Sequence, residues 1–296
     1  MTLDQLRIFV CVAEREHMTR AAQALRLTQS AVSGAISALE NRHGVALFHR
    51  VGRRIELTQD GRSFLDEARA VLRSAAAADQ VLSELRGLKR GTINIHASQT
   101  TASYWLPERL AHFKARHPKI AINVTIGNTT QVVSAVIHGA AEIGFVEDTV
   151  TADELTAWPV HQDHLTVVVH AQHPFAELRR RLRQSDILSV DWVMRERGSG
   201  TRSVFEEVLR RDGIDPDQLR VCLELPSNEA VRAAVEAGAG ATAMSHAVVR
   251  SGLTSGQLSA IPYRPIERAF LALTHRQRRA SSALREFIGG ISPTQQ

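Results

Sequence analysis

The stretch HMTRAAQALRLTQSAVSGAISALENRHG, residues 17–44, decides how the first part of the chain folds. Thr19 is placed to cap a short helix over Arg20–Leu25, Leu27-Thr28 interrupts it, and Thr28 can cap a second helix running to about Arg42. Two helices joined by a tight turn read as a helix-turn-helix. With about 100° of rotation per residue, Gln29, Ser30, Ser33 and Ser37 share one arc of roughly 100°. Val32, Ala35, Ile36 and Leu39 fall opposite. One face therefore packs inward, and the other presents amides and hydroxyls that suit base edges and phosphates in a major groove. Taken alone, that polar face reads equally well as a solvated surface.

The flanks decide between the two readings. Upstream, LDQLRIFVCVAERE repeats apolar residues at helical spacing through Leu3, Leu6, Phe9, Val10 and Ala13. Downstream, GVALFHRVGRRIELTQDG reads as a β-hairpin: Leu47 and Phe48 pack, Gly52 turns, and Ile55 and Leu57 return. No acid stands between Glu40 and Glu56, while Arg42, Arg50, Arg53 and Arg54 are basic. An arginine-tipped wing beside a recognition helix is an arrangement that grips phosphates.

Residues 1–61, with AA..L..TQSAVS, ALE...G..LF.R and LT..G in order, resemble the N-terminal domain of the LysR-type transcriptional regulators. The resemblance implies a winged helix-turn-helix in which Gln29, Ser30 and Ser33 face bases or phosphates and Arg50, Arg53 and Arg54 face the backbone. With Thr28 and Ser37 these are the expected contacts to double-stranded DNA. Gly34 departs from the pattern: many relatives carry a basic or polar residue there, so one possible DNA contact is missing.

In the segment from Thr58 to Gly91, Phe64, Ala68, Val71, Ala75, Ala78, Leu82 and Leu85 step by alternating fours and threes, a heptad seam for paired helices. A dimer, or a dimer of dimers, on a two-fold symmetric site follows; the alternative is a helix docked on its own domain. Gly87 and Gly91 flank Leu88-Lys89-Arg90 and mark a boundary. The expected division is a DNA-binding domain over 1–58, a linker and dimerisation helix over 59–90 and an effector domain over 91–296.

Beyond residue 91, strand-like and helix-like segments alternate: TINIHAS, SYWLPERLAHFKARH, KIAINVTIGN, TTQVVSAVIHG, AEIGFVED, then ILSVDWVM, TRSVFEEVLRRDG, DQLRVCLELPSN, NEAVRAAVEAG and GATAMS. That order implies α/β architecture with a mostly parallel sheet. The two halves repeat one another, each with hydroxyl-rich turns at strand ends: SQTT and GNTT in the first, SGT and PSNE in the second. Residues 155–170 would cross between two small lobes and RAFLALTH would return. One lobe would hold about 91–161 and 266–296, the other about 162–265, with a cleft between them. This half resembles the periplasmic-binding-protein-like effector domain of the LysR-type regulators. RERGSGTR and ELPSNEAVRAAVEAGAGATAMS look most like the branch that includes regulators of sulfur assimilation, sulfite response and carbon fixation, which respond to small inorganic or phosphorylated anions.

Ligands of open α/β sheets sit beyond the carboxyl ends of strands. Four turns would converge there: Ser98-Gln99-Thr100, Asn128-Thr129, Ser199-Gly200-Thr201 and Ser227-Asn228. Backbone N–H groups and hydroxyls at helix starts can hold an oxyanion; each turn singly can equally be a helix cap. Arg195 would add charge, and Arg202 would either add to it or point to solvent. Glu147 repels an anion unless it is protonated, paired with Arg195 or outside the pocket. The expected effector is sulfite, sulfate or a phosphorylated metabolite, with a carboxylate or non-anionic organic molecule as the alternative, and RNA polymerase is an expected partner.

The bulk numbers restrict the other classes. The chain has 296 residues, 44% of them hydrophobic, and a formal charge of +5. There is no membrane-length apolar run and no secretory leader, so a cytoplasmic protein is expected. Cys11 and Cys222 lie in apolar periodic segments and are expected to be buried reduced thiols. The 13 histidines are scattered, and His161, His164 and His170 lack a metal spacing, so no metal or cofactor is expected. GSGTR lacks a phosphate-loop lysine, and there is no nucleophile elbow and no dinucleotide fingerprint. A phosphate-ester enzyme with a DNA-binding head is thereby disfavoured, and a transport carrier is excluded by the winged helix.

Overall fold

The N-terminal helices begin where capping groups stand. In the computed structural model, which describes residues 1–51, 54–85, 91–147 and 150–291, Thr2 and Gln5 form a reciprocal capping box that opens α1 (Leu3–Arg15). α2 (Met18–Leu25) starts earlier than expected, because the cap is His17 and not Thr19: the Arg20 N–H donates to the His17 Nδ1. Thr28 caps α3 (Gln29–His43), its Oγ1 accepting from the Ala31 N–H at 3.2 Å. Phe9, Val12, Ala21, Val32, Ile36 and Leu39 close the core between these helices.

The wing is β1 (Phe48–Val51) and β2 (Arg54–Leu57), antiparallel with Phe48 opposite Leu57. Glu40 on α3 ties it down, one carboxylate oxygen accepting from the N–H groups of Leu47 at 2.7 Å and Phe48 at 3.2 Å. α4 (Gln59–Leu85) follows at once. A Cβ on Gly61 would lie 2.1 Å from the Leu47 carbonyl oxygen, so only glycine lets this helix start against the wing. Phe64, Leu65, Ala68 and Leu72 pack into the same core, while Val71 and Ala78 of the heptad seam are exposed. The first half of α4 thus docks on its own unit. The side chains of Leu82 and Leu85, the end of the seam, lie outside the described residues.

The chain divides into two compact units, one built mainly from Met1–Leu88 and the other mainly from residue 89 onward. The second begins with β3 (Gly91–Ser98), a π-helical turn over Thr101–Trp105 and α5 (Leu106–Arg116), with Pro107 in the first turn of α5. Next come β4 (Ile120–Gly127), α6 (Thr129–Ile137), β5 (Ile143–Val146) and the long β6 (Leu155–His170). Then follow α7 (Gln184–Ser189), β7 (Asp191–Arg195), α8 (Gly200–Arg211), β8 (Arg220–Leu225), α9 (Asn228–Glu236), β9 (Thr242–Ser245), α10 (His246–Ser255) and β10 (Leu258–Ala260). β11 (Ile266–His275) and α11 (Ser282–Ile291) close the chain.

Two lobes result, each with its own core. Ile93, Phe113, Phe145 and Phe287 fill the first, and Trp192, Phe205, Val231 and Met244 lie in the second. β6 and β11 belong to both. β11 pairs antiparallel with β6 along its whole length, and its second half also pairs with β5, while the far half of β6 pairs with β9 and β10.

The sheet is mixed rather than mostly parallel. β3 runs parallel to β4 and β5, and β7 to β8, but the two crossing strands, one leaving the first lobe and one returning to it, are antiparallel to all their neighbours. The ILSVDWVM stretch is also not one strand. Asp186 accepts from the Arg183 N–H at 2.8 Å and starts α7, so Ile187–Ser189 are helical and the strand begins only at Asp191. Cys11 is buried as expected, whereas Cys222 is exposed because β8 is an edge strand, paired only with β7 and open along Arg220–Glu224.

Candidate DNA surface and effector cleft

On α3, Gln29, Ser30 and Ser37 are exposed and Ser33 is half-buried, while Val32, Ile36 and Leu39 are buried beneath them. The polar arc is therefore a free face one helix long. Thr28 Oγ1 lies 3.1 Å from Ser30 Oγ, so the cap also orders the first hydroxyl of that face. Gly34 meets nothing within 4 Å of a notional Cβ, leaving a flat spot beside Ser33 and Ser37. Arg50 and Arg54 occupy the two wing strands; their side chains, with Gly52 and Arg53 entirely, lie outside the described residues.

In the second unit the expected turns meet across the cleft. Gln99 Nε2 donates to the Pro226 carbonyl at 2.8 Å, and Gln99 Oε1 accepts from the Asn228 N–H at 2.8 Å. Asn228, fully buried, donates through Nδ2 to Thr100 Oγ1 at 3.1 Å and accepts on Oδ1 from Arg195 Nη1. The Asn128 side chain works in two directions. Its Oδ1 caps α6 by accepting from the Gln131 N–H at 3.0 Å, and its Nδ2 reaches Glu196 Oε1 at 3.4 Å. Gly198, with φ +88°, brings the other lobe so close that a Cβ would stand 2.9 Å from Thr130 Oγ1.

Some expected groups are local caps. Ser98 Oγ sits 2.9 Å from Thr101 Oγ1 and accepts from the Thr101 N–H, and Ser227 caps α9 through the Ala230 N–H. Others stay open. Ser199 is buried at the start of α8 without a side-chain cap bond, so the first N–H groups of that helix, on Gly200 and Thr201, have no side-chain acceptor from it. Thr129 Oγ1 is buried with no hydrogen-bond partner. Thr201 accepts from Arg268 Nη1 at 3.1 Å, which leaves its own O–H proton free to donate elsewhere.

The charges rearrange the expectations. Arg195, buried, grips Glu196 through Nε at 2.8 Å and Nη2 at 2.9 Å, a two-pronged pair, and it does not pair with Glu147. Burial pushes the Glu196 carboxyl up, but the hydrogen bonds and charge of Arg195, with Asn128, hold it below the ordinary glutamate range. Arg202 does not point to solvent: it is buried, bonded to Glu206 at 2.6 Å, Glu224 at 2.5 Å and the Arg195 carbonyl at 2.9 Å. Glu147 is buried too, and it lines a cavity of about 200 Å³ with Val204, Arg268 and Leu271. Where the long strands cross, Asp163 accepts from Arg268 Nε at 2.8 Å and from Ser245 Oγ at 2.8 Å. Among the described residues no cluster of three or more His, Cys, Asp or Glu could hold a metal ion. None of their helices is long and apolar enough to cross a membrane.

Comparison with known proteins closes the question of family. Residues 3–62 match the bacterial regulatory helix-turn-helix protein, lysR family, and residues 86–292 match the LysR substrate binding domain. The chain belongs to the LysR family of transcriptional regulators. A LysR-family member is a DNA-binding regulator with an effector domain, not an enzyme, and its curated relatives carry matching names. This chain is 34% identical over 295 residues to the uncharacterized HTH-type transcriptional regulator YeiE of Escherichia coli K12, covering 99% of this chain and 98% of the relative. It is 31% identical over 291 residues to a probable RuBisCO transcriptional regulator of Cyanophora paradoxa, covering 97% and 90%. Among solved structures, full-length CbnR complexed with its target DNA superposes with a TM-score of 0.72 at 22% identity, covering 98% of this chain and 99% of that one. The regulatory domain of Synechocystis CcmR in complex with 2-PG gives 0.62 at 24% identity, covering 68% and 96%.

Sequence reading of this LysR-family chain missed Glu196, Asp163 and Arg268. Glu196 stands inside RERGSGTR, where an acid between two arginines was a visible sign of a pair. Arg268, a lone cation in the apolar RAFLALTH strand, was the only hint of the buried cluster at the crossing.

Proposed function

We propose that this LysR-family regulator is a cytoplasmic protein that binds operator DNA as a dimer or a dimer of dimers and is switched by a small anion held between the effector lobes. Sulfite, sulfate and a phosphorylated metabolite are the leading candidates. Gln99, Thr100, Asn128, Thr129, Arg195, Ser199, Gly200 and Thr201 form the pocket, with Ser98 behind them as a local cap and Glu147 in the neighbouring cavity rather than against the anion, and Thr28, Gln29, Ser30, Ser33, Ser37, Arg50, Arg53 and Arg54 contact the DNA. The observation that carries this reading is Glu196: its carboxylate is held by Arg195 of one lobe and Asn128 of the other. A place that holds a tethered carboxylate across the lobes has the donors for a free oxyanion. The uncapped start of α8 and the idle Thr129 hydroxyl add neutral donors beside it. The 2-PG complex of CcmR is in keeping with a phosphorylated ligand.

In this mechanism Glu196 is the resting occupant. An effector displaces it from Arg195 and Asn128, resets the spacing of the lobes and so shifts the paired DNA-binding heads and their contact with RNA polymerase. The ligand acts only as far as it prefers one arrangement over the other. The fact that the resting occupant is itself a carboxylate favours a second reading, an organic carboxylate as effector.

Thermal unfolding of the full chain against sulfite, sulfate, phosphate, phosphoglycolate and acetate separates these readings, since a ligand of the folded state raises the melting temperature with concentration. A rise confined to inorganic or phosphorylated anions, lost in Thr201→Val, is the expected result. A rise with acetate alone selects the second reading, and a flat panel overturns both.

A further inference from the structure

A second cavity, of about 760 Å³, lies in the second lobe at the C-terminal end of α8 and has no part in the cleft turns. Its wall carries Arg181, Arg211 and Arg264 with Tyr263, over a floor that includes Val208 and Ile266. Three guanidinium groups on one concavity repel one another unless acids or a ligand compensate. Two of the three are compensated by acids, which leaves Arg181. Asp212 accepts from Tyr263 Oη at 2.6 Å and from Arg264 at 2.5 Å, and Glu207 accepts from Arg211 at 3.1 Å. These bonds orient Tyr263 and Arg264 on the wall. Glu267, the other acid of the lining, is exposed.

Arg181 makes no salt bridge among the described residues, whereas Arg180 beside it pairs with Asp186 at 2.5 Å and Arg183 acts on the same carboxylate. The backbone that carries them is nonetheless fixed: Leu182 is buried and its N–H donates to the Pro262 carbonyl at 3.0 Å. An arginine-rich segment anchored at the rim of a concavity, with an aromatic ring and aliphatic floor inside, combines bidentate phosphate donors with a seat for a flat apolar body. The volume falls within the range of small-molecule sites.

We propose that this cavity is a second ligand site, for a phosphorylated metabolite of nucleotide size, distinct from the effector cleft. α8 connects the two: its first turn carries Gly200 and Thr201 in the cleft, and its last turn carries Arg211 in the cavity. A ligand at the far end thereby biases the same helix that receives the effector, and the two ligands are coupled.

The test is titration of the full-length protein with ADP, with inorganic phosphate and adenosine as partial probes, at two ionic strengths. ADP is expected to bind more tightly than either fragment and to weaken as salt rises. Arg181→Ala and Arg211→Ala should each weaken it about tenfold, and Thr201→Val, at the other end of α8, should weaken it far less than either. Failure of ADP to bind at millimolar concentration overturns the proposal, as does binding insensitive to both arginine variants. Loss of ADP binding in Thr201→Val, with none in the arginine variants, would place the nucleotide in the cleft and overturn the second site while leaving the effector reading intact. Unfolding temperatures of the variants near that of the parent exclude a folding defect as the cause.

Discussion

At the scale of single residues, Glu196 and Gly198 decide how the lobes meet. Removing the charge of Glu196 leaves Arg195 buried without a carboxylate, a loss that in buried pairs runs to about 3 kcal/mol or more; with the pair partly exposed, about 1–2 kcal/mol is a fair expectation for Glu196→Gln. The same change vacates the anion donors. The melting temperature should therefore fall without ligand, and the rise produced by a saturating anion should grow. Because the folded-state pKa of Glu196 is depressed, its stabilising contribution is present above the ordinary glutamate pKa and disappears as pH falls through the lowered value. The slope of stability against pH in that acid window should flatten in Glu196→Gln, measured by urea unfolding. At Gly198 the left-handed φ and the near contact with Thr130 leave no room for a side chain. Gly198→Ala should prop the lobes apart and weaken effector binding, with DNA affinity in the absence of effector retained; unchanged effector affinity would contradict the close approach. The sequence displayed Gly198 and Glu196 plainly, yet neither announces its partner, since Thr130 and Asn128 lie far away in the chain.

Elements were easier to read than contacts. The period of apolar residues located α1, α3, α6, α8 and α9, because each buries one stripe against a core. Errors arose where a side-chain hydrogen bond, rather than periodicity, sets the boundary: His17 in place of Thr19 at α2, and Asp186 at α7. α4 shows the limit of pattern reading from another side. A heptad and a docked amphipathic helix share most apolar positions, and Ala68 serves the core while Val71 faces outward. Gly61→Ala is predicted to misplace the start of α4 against the Leu47 carbonyl and cost about 3 kcal/mol or more, read as a lower urea midpoint with the slope retained. The wing yields a separate prediction. Arg53→Ala should weaken binding to specific and unrelated duplexes alike and reduce the dependence of log K on log salt by about one unit; an unaltered slope would remove Arg53 from the backbone contacts.

On the scale of the whole molecule, the two-lobed effector fold was legible because a pseudo-repeat of strand-end turns is visible without coordinates, and a pair of crossings follows from it. The antiparallel sense of β6 and β11 was not, since both parallel and antiparallel strands can be apolar throughout. Those shared strands have a consequence for how the protein is made. The first lobe begins with β3 but is completed only by the second half of β11 and by α11, which ends at Ile291. The second lobe lies between, and it also draws on the first half of β11, which pairs with β6 and puts Ile266 into its core. During synthesis at about 5–20 residues per second, the lobe that leaves the ribosome first must wait, its β5 edge and the groove for Phe287 uncovered, until the whole of the second lobe has emerged as well. A chain that has emerged only as far as Ala260 would thus lack β11 for both lobes, and the first lobe, divided between β3–β5 and β11–α11, cannot be excised as a single uninterrupted peptide.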